Sequence, residues 1–325
     1  MTHNAGVHQR RRGIAIFVAE IGADEQPGFA FERQAFEPEL GFDLIETILE
    51  HFLDLPVPIG EIAQHHAEFG PHREDKPDDV VSLYRQKDST LSGTVIFPIT
   101  EAQRNGLEDL RLVEFVRDSG KSEWIGTYTA YSGRDIQSEL LRTRDFRDFT
   151  LTPIKGGAGR NKGMALFPRK IDRQFFMIGR QDGKNLYLLR SDSIDHWEGG
   201  ELLLEPRFPW ELIQIGNCGA PIELDEGWLV LTHGVGAMRK YAIGAVLLDK
   251  DDPSKVIGRT PNPILSAADE DREGYVPNVV YTCGAIRVGD DIFLPYGVAD
   301  SSVCFAFVAI TEILAAMDYS ARATA

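Results

Sequence analysis

Cysteine is scarce in this chain, with three in 325 residues, at positions 218, 283 and 304. They are odd in number, far apart and never in a CxxC pair, so there is no basis for a disulfide framework or a zinc site. Long apolar runs are missing too. A membrane helix needs about 18–20 consecutive apolar residues, and nothing in the sequence comes near that. Near the N-terminus a basic QRRRG is followed by residues 14–21, which are too few and too interrupted by Glu20 for a signal-peptide core. The expectation is a cytoplasmic protein with no membrane partner. Positive charge is the third shortage. The chain has 50 acidic residues against 34 basic ones, for a formal net charge of −16. Nucleic acid and anionic lipid both require a basic face, so neither is expected as a partner; the three arginines at 10–12 form too short a run. His65, His66 and His72 cluster without a carboxylate or cysteine at ligand spacing, so no metal is expected, and no cofactor.

What is present divides in two. Residues 1–75 have mixed character: a strand pattern at 14–19, then 42–53, where Leu44, Ile45, Ile48, Leu49 and Phe52 recur at helical spacing before Pro56 and Pro58. Residues 76–318 are short apolar segments rich in Val, Ile, Phe and Tyr, broken by Gly and Asp turns. That is the texture of an all-β domain. Residues 319–325 read as a disordered tail.

Repetition within 76–318 decides the architecture. Residues 140–149 (LLRTRDFRDF) recur as 188–197 (LLRSDSIDHW), 48 residues on. A second register runs through 126–133 (GTYTAYSG), 177–183 (MIGRQDG), 230–236 (VLTHGVG) and 293–300 (FLPYGVAD). Thr129, Arg180, His233 and Tyr296 then share one repeat position, at spacings of 51, 53 and 63 residues. Units of about 50 residues with about four strands each point to propeller blades. Four blades can be drawn between about 107 and 317. A fifth is expected from residues 76–106 and the N-terminal stretch, giving a five-bladed β-propeller with a mixed α/β N-terminal extension. Polar residues repeated on the innermost strands would converge on the axis.

Residues 106–111 (GLEDLR) place two carboxylates just before an expected strand at 112–115. Successive residues of an extended chain face opposite ways, so one of the two is expected to face the channel. An Asp held there can act as a general acid.

The same segment resembles the Gly-x-Glu-Asp-Pro-Arg motif of glycoside hydrolase family 130, with Leu110 in place of proline. Further blocks follow in the family's order: 127–133 (TYTAYSG), 161–171 (NKGMALFPRKI), 215–221 (IGNCGAP), 232–235 (THGV), 244–259 (GAVLLDKDDPSKVIGR) and 276–284 (VPNVVYTCG). The match covers about 220 residues, and 91–98 (LSGTVIFP) resembles, from Thr94, the stretch before the catalytic motif in the longer members. The resemblance implies a five-bladed propeller that cleaves β-mannosides with inorganic phosphate as co-substrate, inverting the anomeric carbon and releasing mannose 1-phosphate.

By matching position, Asp109 would be the catalytic acid, its proton passing through a sugar hydroxyl. Phosphate attacks from the opposite face, so one carboxyl suffices where water-using inverters need two. Lys162, Arg180 and His233 would bind the phosphate, Lys162 standing where Arg is usual. Gln214 stands where phosphorylases carry Lys. Arg85 would stand in for a first-blade arginine. Asp300 matches a substrate-binding position, and Asn161 lies at the start of its block. Tyr128, Tyr131, Tyr281 and Tyr296 are candidate platforms for a sugar's C–H face, Tyr128 and Tyr296 foremost. The expected partners are a β-mannoside oligosaccharide and phosphate, with the assembly state open and a homo-oligomer among the options. Two other readings stay open. One is a β-mannoside hydrolase, for which Glu273 in the acidic run 269–273 is the residue to watch. The other is a non-catalytic carbohydrate-binding propeller.

Overall fold

The computed structural model describes residues 80–85, 91, 94–267 and 276–319, together with the backbone of Ile14–Ala15. The expected helix at 42–53, the three histidines at 65, 66 and 72, Glu273 and residues 320–325 lie outside the described residues. Strand β1 (Ile14–Ala15), β2 (Val81–Tyr84) and β3 (Val95–Ile96) come first in the chain, with β1 and β3 forming a two-stranded antiparallel sheet. The first blade follows with β4 (Gly106–Val116), β5 (Ser122–Tyr131), β6 (Ile136–Thr143) and β7 (Asp148–Pro153), in the order β2-β7-β6-β5-β4. The second holds β8 (Ala165–Leu166), β9 (Phe175–Gly179), β10 (Leu186–Ser191) and β11 (Gly200–Leu204), hydrogen-bonded in sequence order.

The third blade contains β12 (Gln214–Asn217), β13 (Ile222–Glu223), β14 (Trp228–Val235), β15 (Tyr241–Leu248), β16 (Val256–Arg259) and β17 (Leu265–Ser266). The fourth is β18 (Val280–Tyr281), β19 (Ile286–Val288), β20 (Asp291–Val298) and β21 (Ser302–Ala309), followed by one helical turn and a half, α1 (Ile310–Ala315). All described pairings within these sheets are antiparallel. The molecule is therefore all-β, with a propeller-like arrangement of four blades among the described residues. None of their helices is long and apolar enough to cross a membrane.

Three apolar cores join consecutive blades. Phe115, Ile125 and Leu140 meet Leu166, Met177 and Trp197 between the first two blades. Phe167, Ile178 and Leu188 meet Ile215, Trp228 and Val246 between the second and third. Leu231, Ile243 and Leu247 meet Val280, Ile292 and Leu294 between the third and fourth, with Ile313 of α1 sealing the end. This explains the sequence of β14 and β15. Covered on both faces, they read as nearly continuous apolar runs and are buried almost throughout. Strand β21 alternates instead, and the face it turns away from the third blade carries exposed Val303, Phe305 and Phe307. Phe293 stacks on Phe305 at 5.7 Å and packs on Phe307 at 5.1 Å on that open face. A fourth core covers the outer face of the first blade, where Ile96 of β3 is completely buried with Leu107, Tyr128 and Phe149.

The repeat position shared by Thr129, Arg180, His233 and Tyr296 is real, but it falls on or just after β5, β9, β14 and β20. These are the second strands of their blades, not the innermost. Tyr128 is no sugar platform: it is 2% exposed in the core, its hydroxyl bonded to Glu139 and to the Gln103 side-chain amide at 3.0 Å. Tyr296 turns into the core between the third and fourth blades. Arg85, at the end of the outlying strand β2, donates from Nε to the Phe146 carbonyl at 2.9 Å and is not near the axis strands. Tyr319, expected to open the tail, bonds the Leu314 carbonyl at 3.0 Å.

One buried ion pair anchors the third blade. Glu211, fully buried, accepts from the Arg259 guanidinium and from the backbone N–H groups of Arg207 (2.8 Å) and Phe208 (2.9 Å), fixing the approach to β12. Removing the cation strands the carboxylate away from water. Arg259→Met is expected to lower unfolding free energy by about 3–5 kcal/mol, measured by urea denaturation.

Candidate active site

The innermost strands surround a cavity of about 420 Å³. The first blade contributes Glu108, Asp109 and Arg111 of β4; the second contributes Lys162 and Gly163 ahead of β8, and Arg180 after β9. From the third come Gln214, Gly216 and Asn217 of β12 with His233 of β14; Arg239 and Tyr241 follow from the turn into β15. The fourth supplies Tyr281 and, beyond β20, Asp300. The structure thus brings together Asp109, Lys162, Arg180, Gln214, His233 and Asp300 from the sequence reading. Tyr128, Tyr296 and Asn161 do not line the cavity, although Asn161 directly precedes Lys162.

The two carboxylates are not in a loop before a strand. They lie within β4, at a β-bulge: Glu108 pairs with Thr129 and Arg111 with Thr127, so β4 has one residue more than β5 over this interval. The extra residue breaks the two-residue alternation, and both Glu108 and Asp109 line the cavity. Asp109 takes up the irregularity with φ +58°. Arg239 and Asp300 also have left-handed backbones, φ +54° and +51°. Such conformations are unfavourable for residues other than glycine and persist only where surrounding structure enforces them.

Arg111 is the group that enforces it. Only 2% exposed, it donates from Nη1 to the Asp109 carbonyl (2.9 Å), from Nε to Asn217 Oδ1 (2.9 Å) and from Nη2 to the Tyr281 hydroxyl (2.7 Å). Tyr281 in turn donates to Asp109 Oδ2 at 3.4 Å, and the Arg111 Nη2 to Asp109 Oδ2 separation is 3.9 Å. Burial works against the charge on Arg111, but the acidic groups around it, Tyr281, Cys283 and Asp109, outweigh that and hold its pKa above the ordinary value. Burial, reinforced by Asp109, pushes the Cys283 thiol up to about 12. The thiol is therefore inert at neutral pH.

His233 is nearly enclosed. Burial first, then the charges of Arg180, Arg111 and Lys162, lower its pKa from 6.5 to about 3. It is therefore a neutral ring in the folded protein. Its Nδ1 donates to the Asn217 carbonyl at 3.1 Å, which leaves Nε2 as an acceptor. Tyr241 stacks on it at 6.0 Å and Tyr281 meets it edge-on at 5.0 Å. Gly216 faces it across the strand pair. A Cβ there would lie 2.2 Å from His233 Cε1, so only glycine admits the ring.

Lys162 and Arg180 have no carboxylate partner among the described residues, and Arg180 Nε is buried with no hydrogen-bond acceptor. A buried donor left unmet is costly unless a ligand meets it. A second cavity of about 400 Å³ lies beside Glu101 and Arg104, but Arg104 there is already engaged with Glu101 (2.7 Å) and the Ser132 carbonyl (2.6 Å). Sequence reasoning assigned no role to Arg111, Asn217, Arg239 or Tyr241. Arg111 and Asn217 were visible only as members of recognised blocks, while Arg239 and Tyr241 fall between blocks.

The model of glycoside hydrolase family 130, described as β-1,4-mannooligosaccharide phosphorylase, matches residues 86–319. A β-1,2-mannobiose phosphorylase of Listeria innocua is 32% identical over 237 residues, covering 70% of this chain and 64% of that one. The chain thus spans slightly less than two thirds of that relative's length. A 1,2-β-oligomannan phosphorylase of Thermoanaerobacter is 33% identical, covering 66% of this chain and 72% of that one. The solved Listeria innocua enzyme, in complex with β-1,2-mannobiose, superposes with a TM-score of 0.61 at 29% identity, over 73% of this chain and 68% of that one.

The neutral His233 has a consequence for stability. The unfolded chain takes up this proton near pH 6.5 and the folded protein only near 3, so between those values acidification favours unfolding. From pH 7 to pH 5 the loss from this group is expected to be about 1–2 kcal/mol. In His233→Gln that part of the acid sensitivity should vanish, as read from denaturation midpoints at the two pH values.

Proposed function

Because the chain belongs to glycoside hydrolase family 130, we propose that it cleaves β-mannosides with inorganic phosphate. The C1–O bond of the terminal mannose breaks, a phosphate oxygen bonds to C1 from the opposite face, and the proton given up by Asp109 ends on the departing oxygen. The products are mannose 1-phosphate and a saccharide shortened by one unit. The observation that carries this reading is the cationic wall: among the described residues Lys162 and Arg180 have no acid partner and Arg180 Nε has no acceptor, and both share a cavity with Asp109. A neutral sugar and water give no reason to bury such donors, whereas a small anion does. Neutral His233, with Nε2 as acceptor, suits a protonated phosphate oxygen. Asp300 and Glu108 supply acceptors for sugar hydroxyls, and Tyr241 and Tyr281 aromatic surface for the ring.

The relatives named for β-1,2 linkages align over 70% and 66% of this chain, against 47% for one named for β-1,4-mannooligosaccharides. β-1,2-Mannobiose is accordingly the first substrate to try. With it, mannose 1-phosphate should form only when phosphate is supplied, and Asp109→Asn should lower turnover by about 10² or more, the scale of a lost general acid. Equal release of mannose without phosphate would make the protein a hydrolase. Full activity in Asp109→Asn would remove that residue from the chemistry.

We extend the proposal to the ring. Four blades are joined by three cores, and the open face of Val303, Phe305 and Phe307 has no partner blade among the described residues, while β1 and β3 begin a sheet beside the first blade. A fifth blade, drawn from β3 and the chain preceding β2, would seat on that face and close the ring. Phe307→Lys should then destabilise the fold by about 2 kcal/mol or more, whereas a solvent-facing position tolerates such a change within about 0.5 kcal/mol. Urea denaturation separates the two.

A further inference from the structure

Among the described residues, three cavity-lining cations have no acid partner, and the third, Arg239, belongs to none of the recognised blocks. We propose that Arg239 is a binding group for the phosphate co-substrate, supplying the positive charge that is missing at Gln214. The inference rests on reading the cavity as a phosphate site.

Position comes first. Gln214 opens β12 and pairs with Val235, the last residue of β14. Directly after Val235 the chain makes a tight turn, with Gly236 N–H donating to the Lys240 carbonyl at 3.0 Å and Lys240 N–H to the Ala237 carbonyl at 3.2 Å. Arg239 lies in that turn, and Tyr241 pairs with Val235 on the far side. Gln214 and Arg239 therefore sit at the same end of the third blade, and both line the cavity.

The backbone carries the second observation. Met238 and Arg239 are consecutive non-glycine residues in the left-handed region, φ +59° and +54°. They are the two central residues of the hairpin turn between β14 and β15, closed by the Lys240 N–H to Ala237 carbonyl bond, and two left-handed residues are what such a turn requires. The turn leaves Met238 88% exposed and sets Arg239 on the cavity wall. The fixed geometry of that turn, and not a flexible loop, therefore presents Arg239 to the cavity beside Gln214.

Charge is the third. The carboxylates on the cavity, Glu108, Asp109 and Asp300, belong to the first and fourth blades. Among the described residues none forms an ion pair with Arg239. A guanidinium offers five N–H donors in a planar fork suited to phosphate oxygens, where the neutral Gln214 amide offers two.

The test is a two-residue cycle read by the KM for phosphate at saturating β-mannobiose. Arg239→Asn removes the charge while keeping a residue that tolerates a left-handed backbone. It should raise the phosphate KM about tenfold and leave the mannoside KM in place. Gln214→Lys should lower the phosphate KM in the parent and restore most of the loss in Arg239→Asn, a rescue that a merely structural role for Arg239 would not give. Arg239→Lys should fall between. An unchanged phosphate KM in Arg239→Asn, or a rise confined to the mannoside KM, overturns the proposal while phosphorolysis stands. A parent enzyme whose rate ignores phosphate overturns both.

Discussion

The arrangement of this site depends on one buried guanidinium. Arg111 leaves the first blade, bonds Asn217 of the third and Tyr281 of the fourth, and Asn217 Nδ2 continues to the Gly163 and Ile178 carbonyls of the second. Four blades joined laterally by apolar cores are thus also tied at the axis by polar contacts. Apolar packing is tolerant of small slips, because its energy depends on area and not on direction. Hydrogen bonds of 2.7–2.9 Å to a planar fork are not tolerant. The cores hold the blades together, and Arg111 sets where they stand relative to Asp109. A charge buried this deeply is unfavourable on its own, so the network is effective only because every part of the fork has a partner.

Asp109 shows what that network is for. A carboxylate on a regular strand alternates with its neighbour, and only one of two adjacent acids reaches a given face. The bulge at Glu108–Arg111 overrides this, and the Arg111 bond to the Asp109 carbonyl holds the irregular backbone in place. Tyr281 completes the arrangement. Since Arg111 donates into its hydroxyl oxygen, the Tyr281 proton is free to point at Asp109 Oδ2. One carboxylate oxygen is thereby fixed by the protein. His233 follows the same logic one blade on: the Asn217 carbonyl fixes its tautomer, and Gly216 leaves room for its ring.

Much of this was legible in the sequence, and the reason is periodicity. The repeat register correctly placed Thr129, Arg180, His233 and Tyr296 at equivalent points, because each blade must reuse the same strand pattern to bury the same faces. It did not reveal that the shared strand is second from the axis, nor that Tyr296 and Tyr128 turn into cores and not toward the cavity. Which face of a strand looks inward follows from what lies on either side, and a propeller blade has apolar neighbours on both. The bulge was illegible for a related reason: the alternation rule that identifies strands is the rule the bulge breaks. Arg111, though inside a recognised block, looked like any strand arginine, since nothing in its neighbours announces partners 106 and 170 residues away.

The remaining tension is electrostatic. The chain carries a net charge of −16, so within a screening length of about 10 Å outside its surface the field opposes an approaching anion. Lys162, Arg180 and Arg239 cannot cancel that field, and Glu108, Asp109 and Asp300 share their cavity. Their effect is local: inside a walled cavity the effective dielectric falls, and contacts between a guanidinium and an oxyanion gain several-fold over their value in water. A mannoside, being neutral, is indifferent to the outer field. The acidic surface and the cationic wall therefore act at different ranges. Anions in general are held off the protein, and one small enough to enter the cavity finds donors, Arg180 Nε among them, that no group among the described residues satisfies. For the proposed pairing of phosphate with a neutral mannoside, selectivity for the compact anion follows from that division of range.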